Sequence, residues 1–374
     1  MQYRMIGDKK VSLLGFGMLR LPLDENGKVD ERLTQEMVDY AIENGVNYFD
    51  TSSAYIGGQS EVVTARCLKK YSRDKYYVVN KLTPYNIRTL NDAINMYQKQ
   101  LKTMDVDYFD FYLFHTLNKE YWHTLLEIGA VDFIVEQHNK GFIKKLGFSF
   151  HDNYDVFKEI INYRKWDFCQ IIYNYLDTDF QAGDMGYKLA QSKGIPMVIM
   201  EPNKGGTLTS LREDLIEPFK KYNSEVSLGN WNFRWVASHD NVSVILSGMS
   251  NMEQVIDNVK TANQFVPLND EECKIIKSVK NNIIKSQPST CNSCKACRPC
   301  PHGVDIVRNY LIWNIGSITE DHSSYRDYTH LNERAASNCV RCGYCENVCP
   351  KHLHIMDDMF KIDKEINEFL SKGE

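Results

Sequence analysis

From residue 11 to about 262 the chain alternates short apolar runs with amphipathic stretches. The runs are SLLGF (12–16), VNYFD (46–50), YYVVNK (76–81), YFDFYLFH (108–115), IKKLGFS (143–149), FCQIIY (168–173), PMVIME (196–201) and VSVIL (242–246). Most are apolar nearly throughout, which predicts strands buried on both faces of a parallel sheet, whereas a sheet with one wet face alternates. The stretches between them read as helices. In RTLNDAINMYQKQLKTM, Leu90, Ile94, Tyr97, Leu101 and Met104 recur at spacings of four and three, which is one helical face. Helix stops repeat at Asn44-Gly45, Lys140-Gly141 and Lys193-Gly194, where glycine takes the left-handed cap and a strand follows. SNME (Ser250–Glu253) predicts a capping box that opens the last helix of this region.

Eight strand–helix repeats in about 250 residues predict an α/β fold of the (β/α)8 TIM-barrel type. The competing open, doubly wound sheet lacks a GxGxxG after its first strand. Residues 1–10 predict a small hairpin closing the barrel bottom, and LNDEECKIIKSVKNNIIKS (268–286) one further helix. The expected division is a barrel over 1–267, a connecting helix and linker over 268–290, and a small C-terminal domain over 291–374.

Composition narrows the function classes. The chain has 374 residues, 43% hydrophobic and 25% charged, which are values of a globular protein with ample core. A net charge of −5 and the lack of a Lys/Arg run argue against nucleic-acid binding. The start, MQYRMIGDKK, has no apolar h-region, and no apolar run of about 18 residues could span a membrane. The expectation is a cytoplasmic protein with reduced thiols.

Chemistry in a barrel gathers where strands end. At such ends stand Asp50, Lys81 and His115, with Tyr55 just beyond the second run. A phenol with a pKa near 10 needs help to serve as a proton donor and acceptor at neutral pH. A nearby ammonium stabilises the phenolate, and a carboxylate holds the ammonium. The stretches LGFGMLRLP, FDTSSAY with GGQSE, VVNKL, FYLFH, GFSFHD, CQIIYN, MEPNKGG and LSGMSNMEQVIDN resemble the aldo/keto reductase family over essentially residues 1–265. The resemblance implies Tyr55 as general acid/base, Lys81 as its tuner, Asp50 as the partner of Lys81, and His115 as the group orienting substrate. It implies hydride transfer between NADH or NADPH and a small carbonyl or alcohol. It also implies that Ser149 and Gln170, with Tyr173 close by, hold the nicotinamide end, and that Ser247 to Asn258 take the adenosine-phosphate end. Four departures stand out. Phe150 replaces an asparagine found in many members, and Met18 a threonine. Gly248 and Gln254 stand where many NADPH-specific members carry lysine and arginine, which leaves the choice between NADH and NADPH open.

Eight of the eleven cysteines crowd into CNSCKACRPCP (291–301) and CVRCGYCENVCP (339–350); Cys67, Cys169 and Cys273 are scattered before them. A C-x2-C-x2-C triplet plus a Cys-Pro suits a cubane cluster, whereas zinc takes two separated CxxC pairs. A disulfide framework conflicts with reduced thiols. The segment resembles the bacterial-type ferredoxin module with two [4Fe-4S] clusters, and the whole chain resembles the iron–sulfur-containing branch of the reductases. The implied ligand sets are Cys291, Cys294 and Cys297 with Cys349, and Cys339, Cys342 and Cys345 with Cys300. The first run ends C-x2-C-P where the module has C-x3-C-P. VDIVRNYLIWNI (304–315) looks helical. Ten Lys/Arg against twelve Asp/Glu over 291–374 suggest that an electron-transfer partner would present a basic patch. Hydride moves two electrons and a cluster one, so a flavin would ease their coupling; a barrel phosphate site could hold FMN without a signature. The alternative to an enzyme is a cofactor-sensing or scaffold subunit whose barrel is not itself catalytic.

Overall fold

The computed structural model describes residues 1–372, so the last two residues of the expected 291–374 domain lie outside it. Ten strands form: β1 (Tyr3–Ile6), β2 (Lys9–Ser12), β3 (Leu14–Gly17), β4 (Tyr48–Asp50), β5 (Tyr77–Leu82), β6 (Phe109–Leu117), β7 (Ile143–Phe150), β8 (Phe168–Ile172), β9 (Met197–Met200) and β10 (Val242–Gly248). β1 and β2 are an antiparallel hairpin, while β3 to β10 close into an eight-stranded barrel with parallel pairing throughout. Every barrel strand overlaps its predicted apolar run.

The chain divides into two compact units. The first comprises Met1–Asn203 and Ser227–Leu268. It contains the barrel and helices α1 (Glu31–Glu43), α2 (Gln59–Leu68), α3 (Leu90–Met104), α4 (Lys119–Glu127), α5 (Ala130–Asn139), α6 (Tyr154–Tyr163), α7 (Gly183–Ser192), α9 (Leu228–Ala237) and α10 (Met252–Asn263). The second comprises Lys204–Val226 and the residues from Asn269 on. It contains α8 (Glu213–Tyr222), α11 (Asp270–Ser286), α12 (Ile306–Ile318), α13 (Tyr344–Asn347) and α14 (Ile355–Ser371).

Inside the barrel, Tyr48, Val79, Phe111, Leu113, Phe168, Val198, Val244 and Leu246 pack with Ile6 and Val11 of the hairpin, which accounts for the closed bottom. Residues of opposite parity, such as Phe49, Val78, Tyr112 and Cys169, face the surrounding helices. The predicted stops at Gly45, Gly141 and Gly194 adopt φ of +91°, +80° and +63°. Two local expectations shift by one residue. The α10 cap is Asn251, which accepts from Gln254 N–H, and not Ser250. The buried face of α3 is Ala93, Tyr97, Gln100 and Met104, so Gln100 takes the inward place expected of Leu101.

In the second unit, α12 and α14 carry the core: Val307, Tyr310, Trp313, Met359, Ile362 and Ile366 are buried together. Polar ends are satisfied along α14, where Tyr310, Trp313, Tyr325 and Tyr328 donate to Asp358, Glu365, Glu365 and Asp363. Among the described residues no strand follows Gly248, so this unit is α-rich. Segment 204–226 leaves the first unit after β9 and returns to it at α9, yet packs within the second. There Arg212 N–H bonds Ile318 C=O at 3.1 Å and Glu320 N–H bonds Ser210 C=O at 3.0 Å. No helix among the described residues is long and apolar enough to cross a membrane.

Candidate active site and thiol-lined cavities

The strand ends bring four polar side chains together. Lys81, fully buried on β5, places Nζ 2.6 Å from Asp50 Oδ1 and 2.9 Å from the Thr51 carbonyl. The same Nζ lies 4.7 Å from the centroid of the Tyr55 ring. Tyr55 meets His115 edge to face, with ring centroids 5.7 Å apart. His115 Nδ1 sits 2.9 Å from Thr83 Oγ1 and 3.3 Å from Ser52 Oγ. Tyr55 opens a turn in which Ile56 has φ +49°, a left-handed conformation that is strained for a β-branched residue. Ser52 holds the start of that turn through Ala54 N–H and Tyr55 N–H.

Burial sets the electrostatics. It pushes the Tyr55 phenol well above the ordinary tyrosine value, and the charges of Asp50 and Glu201 add to this. It lowers the His115 pKa well below the usual imidazole value, helped by the Lys81 charge, so the ring is neutral. Burial works against the charges of Lys81 and Asp50 alike, and their mutual attraction opposes it.

Three buried polar atoms at this end of the barrel have no hydrogen-bond partner: Asp50 Oδ2, Thr116 Oγ1 and Gln170 Oε1. Buried polar groups are nearly always satisfied, so orphans gathered near a mouth mark a place for a ligand. Ser149 is fully buried and its Oγ accepts from Thr116 N–H at 3.3 Å. Tyr173 lies elsewhere: its hydroxyl donates to Asp184 and its ring stacks on Tyr187 of α7, in the layer outside the barrel. Asn258 Nδ2 donates to Ser247 Oγ at 3.1 Å and pins α10 to β10. Gln254 spends its side chain on the helix cap, accepting from Ser250 N–H at 2.8 Å. Gly248 lies under Arg20, whose side-chain carbons would stand 3.0 to 3.2 Å from an added Cβ.

The cysteines line two separate small cavities. Cys291, Cys294, Cys297 and Cys349 line one. Cys300, Cys339, Cys342 and Cys345 line the other. Each cavity therefore takes three thiols from one run and the Cys-Pro cysteine of the other. Among the described residues no set of three or more His, Cys, Asp or Glu converges as a single metal ion would require. All eleven cysteines are free of disulfides.

Residues 13–281 match the model of the aldo/keto reductase family. The chain belongs to that family, and so to the oxidoreductases. Residues 290–355 match the 4Fe-4S dicluster domain, which gives this reductase a C-terminal iron–sulfur domain. The reductase is 23% identical over 304 residues to the NADH-specific methylglyoxal reductase of Escherichia coli (strain K12), covering 68% of this chain and 89% of that one. Its fold is similar to that of aldo-keto reductase AKR11C1 from Bacillus halodurans in its holo form, with TM-score 0.64, 23% identity, and 75% and 96% of the two chains covered. An aldo-keto reductase from Klebsiella pneumoniae in complex with NADPH gives TM-score 0.60 at 18% identity over 72% and 92%.

Several groups around the reductase mouth escape a reading of strand ends alone. Thr83 and Ser52, which contact His115, look like ordinary loop residues in sequence. Asn80 interrupts an apolar strand and Gln100 an apolar helix face, and both prove fully buried. A polar residue at an apolar position was the available signal.

Proposed function

We propose that the barrel mouth catalyses reversible hydride transfer between a nicotinamide dinucleotide and the carbonyl of a small molecule. The observation that carries this is the fully buried Lys81 Nζ, 2.6 Å from Asp50 and 4.7 Å from the Tyr55 ring. Tyr55, its phenol held protonated by burial, donates a proton to the substrate oxygen and takes it back in the reverse direction. The phenolate left behind is stabilised by the Lys81 ammonium, which Asp50 keeps in place. When Thr83 donates to His115 Nδ1, the imidazole proton sits on Nε2, free to orient a carbonyl oxygen. A bound reduced nicotinamide supplies the hydride. Ser149 and the unpartnered Gln170 Oε1 suit its carboxamide, and Ser247, Gly248, Gln254 and Asn258 frame the adenosine-phosphate end. FMN remains an analytical target, to be sought in the purified protein.

The eight cysteines hold two [4Fe-4S] clusters in this reading, one per cavity, with Cys349 and Cys300 exchanged between runs. The C-x2-C-x2-C spacing of both runs and the match to a 4Fe-4S dicluster domain favour clusters over lone zinc ions. Anaerobic purification should then yield about eight irons per chain. The clusters either exchange electrons with a partner protein or brace the second unit. The packing of segment 204–226 within that unit favours bracing.

Tyr55→Phe tests the enzymatic reading. With methylglyoxal as probe aldehyde and NADH or NADPH in separate assays, turnover should fall about 10²- to 10⁴-fold. Dinucleotide binding, followed by protein fluorescence, should persist. Undiminished turnover would remove Tyr55 from the role of proton donor, and no turnover by the unaltered protein would favour the scaffold or cofactor-sensing alternative.

A further inference from the structure

The peptide group of Lys81 has lost a neighbouring strand. β4 ends at Asp50, opposite Val79 of β5, and Thr51 N–H makes the last bond there, to the Val79 carbonyl at 3.0 Å. On its other side β5 stays in register with β6, Lys81 opposite Leu113. Beyond the end of β4, side chains serve the Lys81 peptide. Its N–H donates to Asn80 Oδ1 at 2.8 Å, and its carbonyl accepts from Gln100 Nε2 at 2.8 Å.

These two amides belong to a larger buried network. Gln100 Nε2 also reaches Asn80 Oδ1 at 3.2 Å, and Gln100 Oε1 accepts from the Tyr112 hydroxyl at 2.5 Å. Asn80 Nδ2 donates to Glu61 Oε1 at 2.8 Å. Glu61, Asn80, Gln100 and Tyr112 are exposed by 5%, 0%, 1% and 0%, and they come from α2, β5, α3 and β6. A polar network in an otherwise apolar layer is costly unless its members are satisfied, and a satisfied network rigidifies what it touches. The strand residue that this network clamps at both peptide atoms is Lys81.

We propose that Glu61, Asn80, Gln100 and Tyr112 are positioning residues that hold the Lys81 backbone so that Nζ stays between Asp50 and Tyr55. The inference rests on the proposed role of Lys81 as the partner of Tyr55. An ammonium on a flexible four-carbon stem is only as well placed as its Cα. Displacement of about 1 Å at a reacting group can cost about a hundredfold in rate.

The test uses the full chain with its iron–sulfur domain loaded, methylglyoxal as probe, and three variants: Gln100→Met, Tyr112→Phe and Tyr55→Phe. Gln100→Met removes the donor to the Lys81 carbonyl at nearly constant volume. Tyr112→Phe leaves that donor but frees its other end. Turnover should fall about ten- to a hundredfold in Gln100→Met and less in Tyr112→Phe, with dinucleotide binding unchanged by fluorescence. In both variants the alkaline limb of the turnover–pH profile should move to higher pH, because a phenol with a displaced ammonium gives up its proton less readily. The titratable or charged groups facing Lys81 and Tyr55 are Asp50, Glu61, Tyr85, His115 and Glu201, and none is altered, so a moved limb reports on Lys81. Lower turnover with an unmoved limb would reduce the network to a merely structural one, and unchanged turnover would overturn the proposal outright. Should Gln100→Met fail to fold, the limb in Tyr112→Phe decides. Full turnover in Tyr55→Phe instead strikes the reading of the site and leaves the geometry of the network untouched.

Discussion

The two units carry their chemistry on different kinds of backbone. In the barrel, Asp50, Lys81, Ser149 and Gln170 project from paired parallel strands whose ladder holds them whatever is bound. In the second unit, of the eight cysteines of the two runs only Cys345 lies in a helix, the four-residue α13, and the other seven stand in coil or turns. Between them Ser293, Lys295 and Arg341 take φ of +59°, +65° and +57°, which is strained for residues with side chains. A ladder organises a site before its ligand arrives. Strained loops around a cavity draw their order from what fills it.

Removing iron should therefore break the comparison open with the largest effect. Anaerobic chelation is expected to lower helix content by circular dichroism and to open segment 204–226 to protease, since that segment belongs to the iron–sulfur unit. Barrel segments should stay resistant. A chelated protein with 204–226 still protected would show that the α12–α14 core stands alone.

The second test asks how deeply the barrel site is built in. Lys81→Met leaves Asp50 buried without its cation, and breaking such a pair costs about 3–5 kcal/mol. Urea denaturation of the barrel measures this, and a loss below about 1 kcal/mol would mean that water reaches the pair.

Acid should also single out the barrel. Burial lowers the pKa of both His115 and His239. The unfolded chain takes up protons as pH falls through about 6.5 while the folded barrel resists. Stability is thus fully present above that value and declines below it, by at most about 1.4 kcal/mol per pH unit for each histidine. Thermal melts from pH 7.5 to 5 check the slope, and a flat profile would contradict the buried neutral rings.

The smallest effect belongs to the surface of the second unit. Asp357→Asn removes the exposed Arg341–Asp357 pair, and the melting temperature should not move measurably.

Much of the barrel was legible because a strand buried on both faces leaves an uninterrupted apolar run, and each such run became a strand. The convergence of Asp50, Lys81, Tyr55 and His115 could be anticipated because strand ends in such a barrel share one face. Tyr173 shows the limit: one residue past β8, its parity turns it outward to Tyr187, and no spacing rule reports which parity points in. The one-residue shift that makes Gln100 the inward side chain of α3 has a similar cause. Periodicity weighs Leu101 above a polar neighbour, but Lys81 offers a carbonyl that only a donor can satisfy.

By itself the sequence determined the strand–helix alternation, the family and the two cysteine runs, all of which rest on local spacing and side-chain type. Only the tertiary structure decided that segment 204–226 packs within the second unit. It alone showed that four buried polar residues from four elements meet behind Lys81. These are pairings between residues far apart in the chain. They are chosen by which buried donor finds an acceptor and which apolar face finds cover, and local pattern does not encode that choice.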